Sequence, residues 1–183
     1  MKNILLLLSC AAGLTAADTV FELTPAKTEI AFSVHSTLHE VHGMFKLKRG
    51  SIRFDTETGK ATGEIVIDVT SGASGNESRD KRMQKEILES RKYPEAVFTP
   101  DRVEGRLAGQ GQSVVDLHGK FNIHGADHEL TLHLTVQADD KQYTASTHFT
   151  IPYVEWGMKN PSNFLLKVGG AVDVEVKTVV SRE

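Results

Sequence analysis

Histidine is the residue type in this chain whose placement could do chemistry. His35, His39 and His42 fall close together, and His118, His124, His128 and His133 form a looser second group. Imidazoles hold zinc when three or four ligands converge about 2.1 Å from one point. In extended chain, however, His39 and His42 point to opposite faces and meet only across a turn. No His-Glu-x-x-His pattern occurs, and the single cysteine, Cys10, lies in an N-terminal stretch expected to be removed. The expectation is exposed strand and loop histidines, with no metal and no cofactor. Acyl transfer fares no better: Gly-x-Ser-x-Gly is absent, and Ser71 to Ser78 offers no strand–turn–helix elbow. No catalytic residue is assigned and no enzymatic activity is expected. The charges of Arg79-Asp80-Lys81-Arg82 suit the solvated face of a helix, and Trp156 suits either a lid over an opening or a loop anchor.

What remains is apolar patterning. His42-Gly43-Met44-Phe45-Lys46-Leu47 is echoed by His118-Gly119-Lys120-Phe121-Asn122-Ile123, both reading His-Gly-x-Phe-x-aliphatic. In a strand, Gly43, Phe45 and Leu47 share one face, as do Gly119, Phe121 and Ile123. A glycine in such a row leaves room beside the rings for a close backbone, a bend or a guest molecule. The two copies read as matching walls of one barrel with an apolar interior.

The surrounding chain supports that picture. Its 183 residues suffice for one domain with a sizeable core. Lys2, the apolar run Ile4 to Leu8 and the small residues up to Ala17 read as a secretory signal, residues 1–17, leaving 18–183 as the domain and placing it in a bacterial periplasm. Leu7-Leu8-Ser9-Cys10 faintly resembles a lipoprotein processing site, the alternative to cleavage after Ala17. The apolar run is too short to span a bilayer, and no other stretch approaches that length. Loss of Lys2 takes the net charge from −3 to −4, with acidic and basic residues interspersed. Nothing forms a nucleic-acid stripe or a polybasic patch. A domain without disulfides must rely on its core.

Alternation recurs throughout. Val20 to Leu23 opens a strand that Pro25 ends; Ile30, Phe32 and Val34 alternate with polar neighbours. After Gly50 the apolar phase reverses to Ile52 and Phe54, which predicts a bulge or corner. Ile65, Ile67 and Val69 form a further strand. Glu77 to Arg91, with Met83, Ile87 and Leu88 at helical spacing, predicts one amphipathic helix capped by Asn76 or Ser78. Val97 and Phe98 resume extended chain before Pro100. Then come Val114 to Ile123, a turn at Gly125-Ala126-Asp127, Leu130 to Val136, Tyr143 to Ile151, and Val172 to Val176. Eight or more such strands and one helix suit an all-β, eight-stranded antiparallel barrel. A two-sheet sandwich fits the alternation as well.

These pieces, in this order, resemble the YceI-like family of periplasmic, lipocalin-like polyisoprenoid-binding proteins. The resemblance is carried by Ile30-Ala31-Phe32-Ser33-Val34, His42-Gly43-Met44-Phe45, Gly50-Ser51-Ile52-Arg53-Phe54-Asp55, Ser78-Arg79-Asp80, Tyr93-Pro94-Glu95-Ala96-Val97-Phe98 and Gly119 to Gly125. It implies a barrel holding a long apolar isoprenoid, a quinone among the options, in a tunnel, and leaves both a monomer and a homodimer open. Chemistry permits such a guest. About 40 heavy atoms at about 0.3 kcal/mol each give on the order of 12 kcal/mol, which is nanomolar-class binding. The residues expected to line the tunnel are Ile30, Phe32, Val34, Phe45, Phe121, Leu132, Leu134 and Phe149, with Trp156 at its mouth. Without the resemblance the same residues would fill a solid barrel, the scaffold of a metal- or partner-binding stress protein with no lipid ligand.

Overall fold

The computed structural model describes residues 18–182; the leader reading and Cys10 lie outside them. Nine strands form one antiparallel sheet: β1 (Asp18–Leu23), β2 (Thr28–Val34), β3 (Val41–Asp55), β4 (Ala61–Ala73), β5 (Glu95–Gly105), β6 (Gly111–Ile123), β7 (Ala126–Ala138), β8 (Gln142–Ile151) and β9 (Val172–Ser181). The ladder runs β1-β3-β2-β9-β8-β7-β6-β5-β4, and β4 pairs back onto β3. That last pairing closes the barrel and decides against a sandwich. Two strands share one position: β2 lies along the first half of β3 (Phe32 opposite Gly43), and β1 along the second half (Phe21 opposite Ile52). A 3₁₀ turn at Pro25–Lys27 links the two, so the wall has eight staves.

The phase reversal in β3 is real and falls just before Gly50. Register against β4 slips between Leu47 and Arg49, and Lys48 and Arg49 both face solvent. Leu47 and Ile52 thereby both point inward although their numbers differ by an odd step. A larger slip, between Met44 and Lys46, gives β4 extra residues after Asp68. Ser71 organises them, its hydroxyl donating to Asp68 O (2.6 Å) and accepting from Lys46 N (2.8 Å).

Three expectations need correction. The helix is short: α1 (Glu77–Arg82) gives way to wider π-helical turns at Met83–Ile87. Asn76 does cap it, accepting from Arg79 N at 3.0 Å. The widening follows from docking, since Gln84 Nε2 donates to Val69 O and Gly72 O on β4, and Ser90 N bonds Gln84 O. Pro100 does not end its strand; β5 continues to Gly105 because its register shifts at Pro100–Arg102, where a missing N–H is tolerated. The β6–β7 turn is His124-Gly125, both at positive φ (54° and 80°), the twist a two-residue hairpin needs.

Candidate functional site

The inward rows of the staves enclose a cavity of about 210 Å³. One water needs about 10–15 Å³ by the same kind of measure, so the barrel is hollow. Its wall runs from Leu107, Phe21 and Tyr143 near the short β-turns to Ile123, Phe121 and Ile151 near the helix. Along β8 alone the lining extends from Tyr143 to Ile151, roughly 26 Å of strand. No charged side chain and no histidine faces it. The hydroxyls that do are Thr28, Ser146, Thr147, Thr178 and Tyr143. Thr28 and Thr178 bond each other at 2.7 Å, whereas the buried Thr147 Oγ1 finds no partner among the described residues.

Six of the nine expected site residues line this cavity: Ile30, Phe45, Phe121, Leu132, Leu134 and Phe149. Phe32, Val34 and Trp156 do not. Phe32 is buried, but its ring covers Gly43, the residue opposite, and packs 5.2 Å from Phe45. A Cβ at residue 43 would fall 2.3 Å from Phe32 Cζ. Gly119 is used in the same way: a Cβ there would lie 2.9 Å from the Phe98 ring and 2.3 Å from Thr99 O. The space beside both repeat glycines is thus taken by a neighbouring ring and a close backbone, which confines the open volume to the barrel axis. Val34, half-buried, sits opposite Val41 at the end of β2. Trp156 stacks on His128 (3.9 Å, 6°), the register partner of Phe121 on the inward phase of β7, and lies 6.3 Å from Phe121. It therefore sits over the helix end of the barrel, beyond the residues that line the cavity.

Sequence reasoning passed over Phe21, Leu47, Ile52, Phe54, Phe98 and Leu117, which also line it. The signal was present: Ile52 and Phe54 alternate, and Val97-Phe98 is an apolar pair. Only the closing β3–β4 and β4–β5 pairings bring these rows to the same interior.

The histidines do not gather. Most lie on the outer face or in loops, while His128 shares the inward phase of Phe121 at the helix end, its Nε2 buried without a partner among the described residues. His133 Nδ1 meets Asp116 at 2.6 Å, His124 Nε2 meets Glu89 at 2.7 Å, and His118 Nδ1 bonds the Thr131 hydroxyl at 2.8 Å. His35 and His39 are exposed. Among the described residues no three His, Cys, Asp or Glu side chains converge as a metal site would require.

The helix end is covered by the β8–β9 connection, residues 152–171. Met158 and Tyr153 of that segment are buried, and the Tyr153 hydroxyl donates to Gly169 O at 2.7 Å. Burial pushes the Tyr153 phenol above its ordinary pKa. Lys159 ties the segment to the helical region through Glu86 (2.8 Å), and Arg82 Nη2 donates to Pro161 O (3.3 Å). The Lys159 hydrogen bond and charge hold the Glu86 carboxyl below its usual range. Among the described residues no helix is long and apolar enough to cross a membrane.

Comparison with solved structures agrees with this architecture. BcnA of Burkholderia cenocepacia superposes with a TM-score of 0.70 at 18% identity, covering 86% of this chain and 98% of that one. A polyisoprenoid binding domain from Saccharophagus degradans, implicated in plant cell wall breakdown, gives 0.63 at 17%, covering 90% and 98%. The YceI protein of Campylobacter jejuni gives 0.58 at 13%, covering 100% and 94%. At these identities the likeness is one of fold. No curated protein matches the sequence. Residues 21–180 match the YceI-like domain, and the chain belongs to that family.

Proposed function

We propose that this protein is a non-enzymatic carrier or sequestering protein that holds a long apolar isoprenoid-type lipid, quinones included, inside its barrel after export to the periplasm. The observation that carries this reading is the lining: a hollow along the barrel whose wall is aliphatic and aromatic, with no carboxylate, histidine, lysine or arginine among the described residues facing it. Left unfilled, 210 Å³ of apolar cavity would cost on the order of 5 kcal/mol at about 24 cal/mol per Å³. That is comparable to the whole stability of an ordinary domain, and an apolar chain lying in the barrel recovers it. Such a wall selects by shape and hydrophobicity and leaves little purchase for a large polar head group. The related fold of a polyisoprenoid binding domain supports the same class of ligand. A packed scaffold without a lipid would need this volume filled by side chains.

The test is uptake of a fluorescent polyene. Phe121→Arg puts an unpaired charge into the wall and should abolish uptake while the strand signal in circular dichroism survives. Leu132→Trp, which occupies volume without charge, should weaken uptake strongly. Unchanged uptake in both variants would refute the assignment of this cavity.

A further inference from the structure

Among the described residues, the most exposed large apolar side chains gather at the helix end. Phe164 is 95% exposed, Leu165 85% and Leu38 74%. They sit on two loop tips that the backbone ties together. Thr37 N bonds Lys167 O (3.0 Å), Gly169 N bonds His35 O (2.9 Å), and Ser36 and Val168 form a β-bridge. The Phe164-Leu165 tip is also held in shape, since the Asn163 side chain accepts from Leu165 N and Leu166 N at 2.9 and 2.8 Å and Asn163 N bonds Leu166 O. Large apolar residues in a well-braced turn face water at a free-energy cost, and such a placement marks an interaction surface.

We infer that these tips are a membrane-contact surface, seating the cavity's covered end on an anionic phospholipid bilayer. Three observations favour a bilayer over a protein partner. Three side chains on two tips fall short of the roughly 800 Å² per partner that a stable interface buries, whereas interfacial insertion needs only protruding apolar groups. Charge permits it: Lys167, beside the tip, has no carboxylate within ion-pair distance among the described residues. Finally, the segment carrying Phe164 and Leu165 is the one whose Trp156 and Met158 cover the end of the barrel. The surface therefore lies beside the covering an incoming lipid must displace. Its purpose, though not its geometry, rests on the lipid-carrier reading.

The experiment is sedimentation with vesicles of phosphatidylethanolamine and phosphatidylglycerol, run beside polyene uptake from vesicle-free solution. Wild-type protein should pellet with the vesicles. Phe164→Ser combined with Leu165→Ser, both on exposed positions, should lower vesicle partition roughly tenfold or more and leave uptake unchanged. High salt should weaken wild-type partition further. Equal partition of wild type and variant, or no wild-type binding, overturns the inference. So does a wild-type dimer that the double variant dissociates, since the tips would then seat a second copy. Lost polyene uptake with vesicle binding intact refutes the carrier reading and leaves the contact surface standing.

Discussion

The two ends of this barrel are built to opposite plans. At one, β3–β4 and β5–β6 are joined by five residues each and β7–β8 by three. Phe21 and Tyr143 meet edge to face there (5.3 Å, 81°), with Arg182 over the Tyr143 ring. At the other, beside the two-residue β6–β7 hairpin and the six-residue β2–β3 loop, 21 residues join β4 to β5 and 20 join β8 to β9. Those long connections meet one another through Glu86, Lys159, Arg82 and Pro161, contacts made at the surface. Hairpins fix the first end by local backbone geometry, and a stapled cover closes the second. On the carrier reading proposed above, these ends would act as floor and door, because weak, separable contacts can open without unfolding the sheet.

That contrast can be broken or sharpened. The largest effect belongs to neither end: Gly119→Val drives a Cβ to 2.3 Å from Thr99 O and should cost about 3 kcal/mol or more in chemical denaturation, or prevent closure. Trp156→Ala at the covered end should cost about 2 kcal/mol and speed polyene release in stopped-flow fluorescence. Tyr143→Ala at the floor should destabilise comparably with little change in release. Equal acceleration by both would abolish the distinction between the ends. Thr147→Val replaces a buried, unpartnered hydroxyl by a methyl and should stabilise by about 1 kcal/mol, read as a rise in Tm. The smallest effect is one of pH. Glu86, whose ordinary pKa is 4.5, titrates lower in the folded protein because Lys159 bonds it. Its contribution is therefore present above that value and lost as pH falls through the folded pKa. Hydrogen exchange in residues 152–171 should rise in that acidic window, and Glu86→Gln should remove the dependence.

Much of the wall was legible because alternation is local. Ile30, Phe45, Phe121, Leu132, Leu134 and Phe149 could be placed inside from period two alone. Phe32 obeys the same rule and still misses the cavity, since its ring is spent on Gly43 across the β2–β3 pair, a relation set by register between strands. Trp156 could not be placed, because only the path of residues 152–171 brings it onto His128 and Phe121. Pro100 and the shortened helix misled for a related reason: a register slip admits the proline, and the grip of Gln84 on β4 widens the helical turns. In each case a partner distant in sequence decided.

The central claim is that the hollow holds a lipid. Protein purified without detergent from its native host, extracted into organic solvent and analysed by mass spectrometry, should release an isoprenoid-type lipid in near-stoichiometric amount. An extract carrying no lipid, from protein whose cavity also refuses an added polyene, would contradict the account.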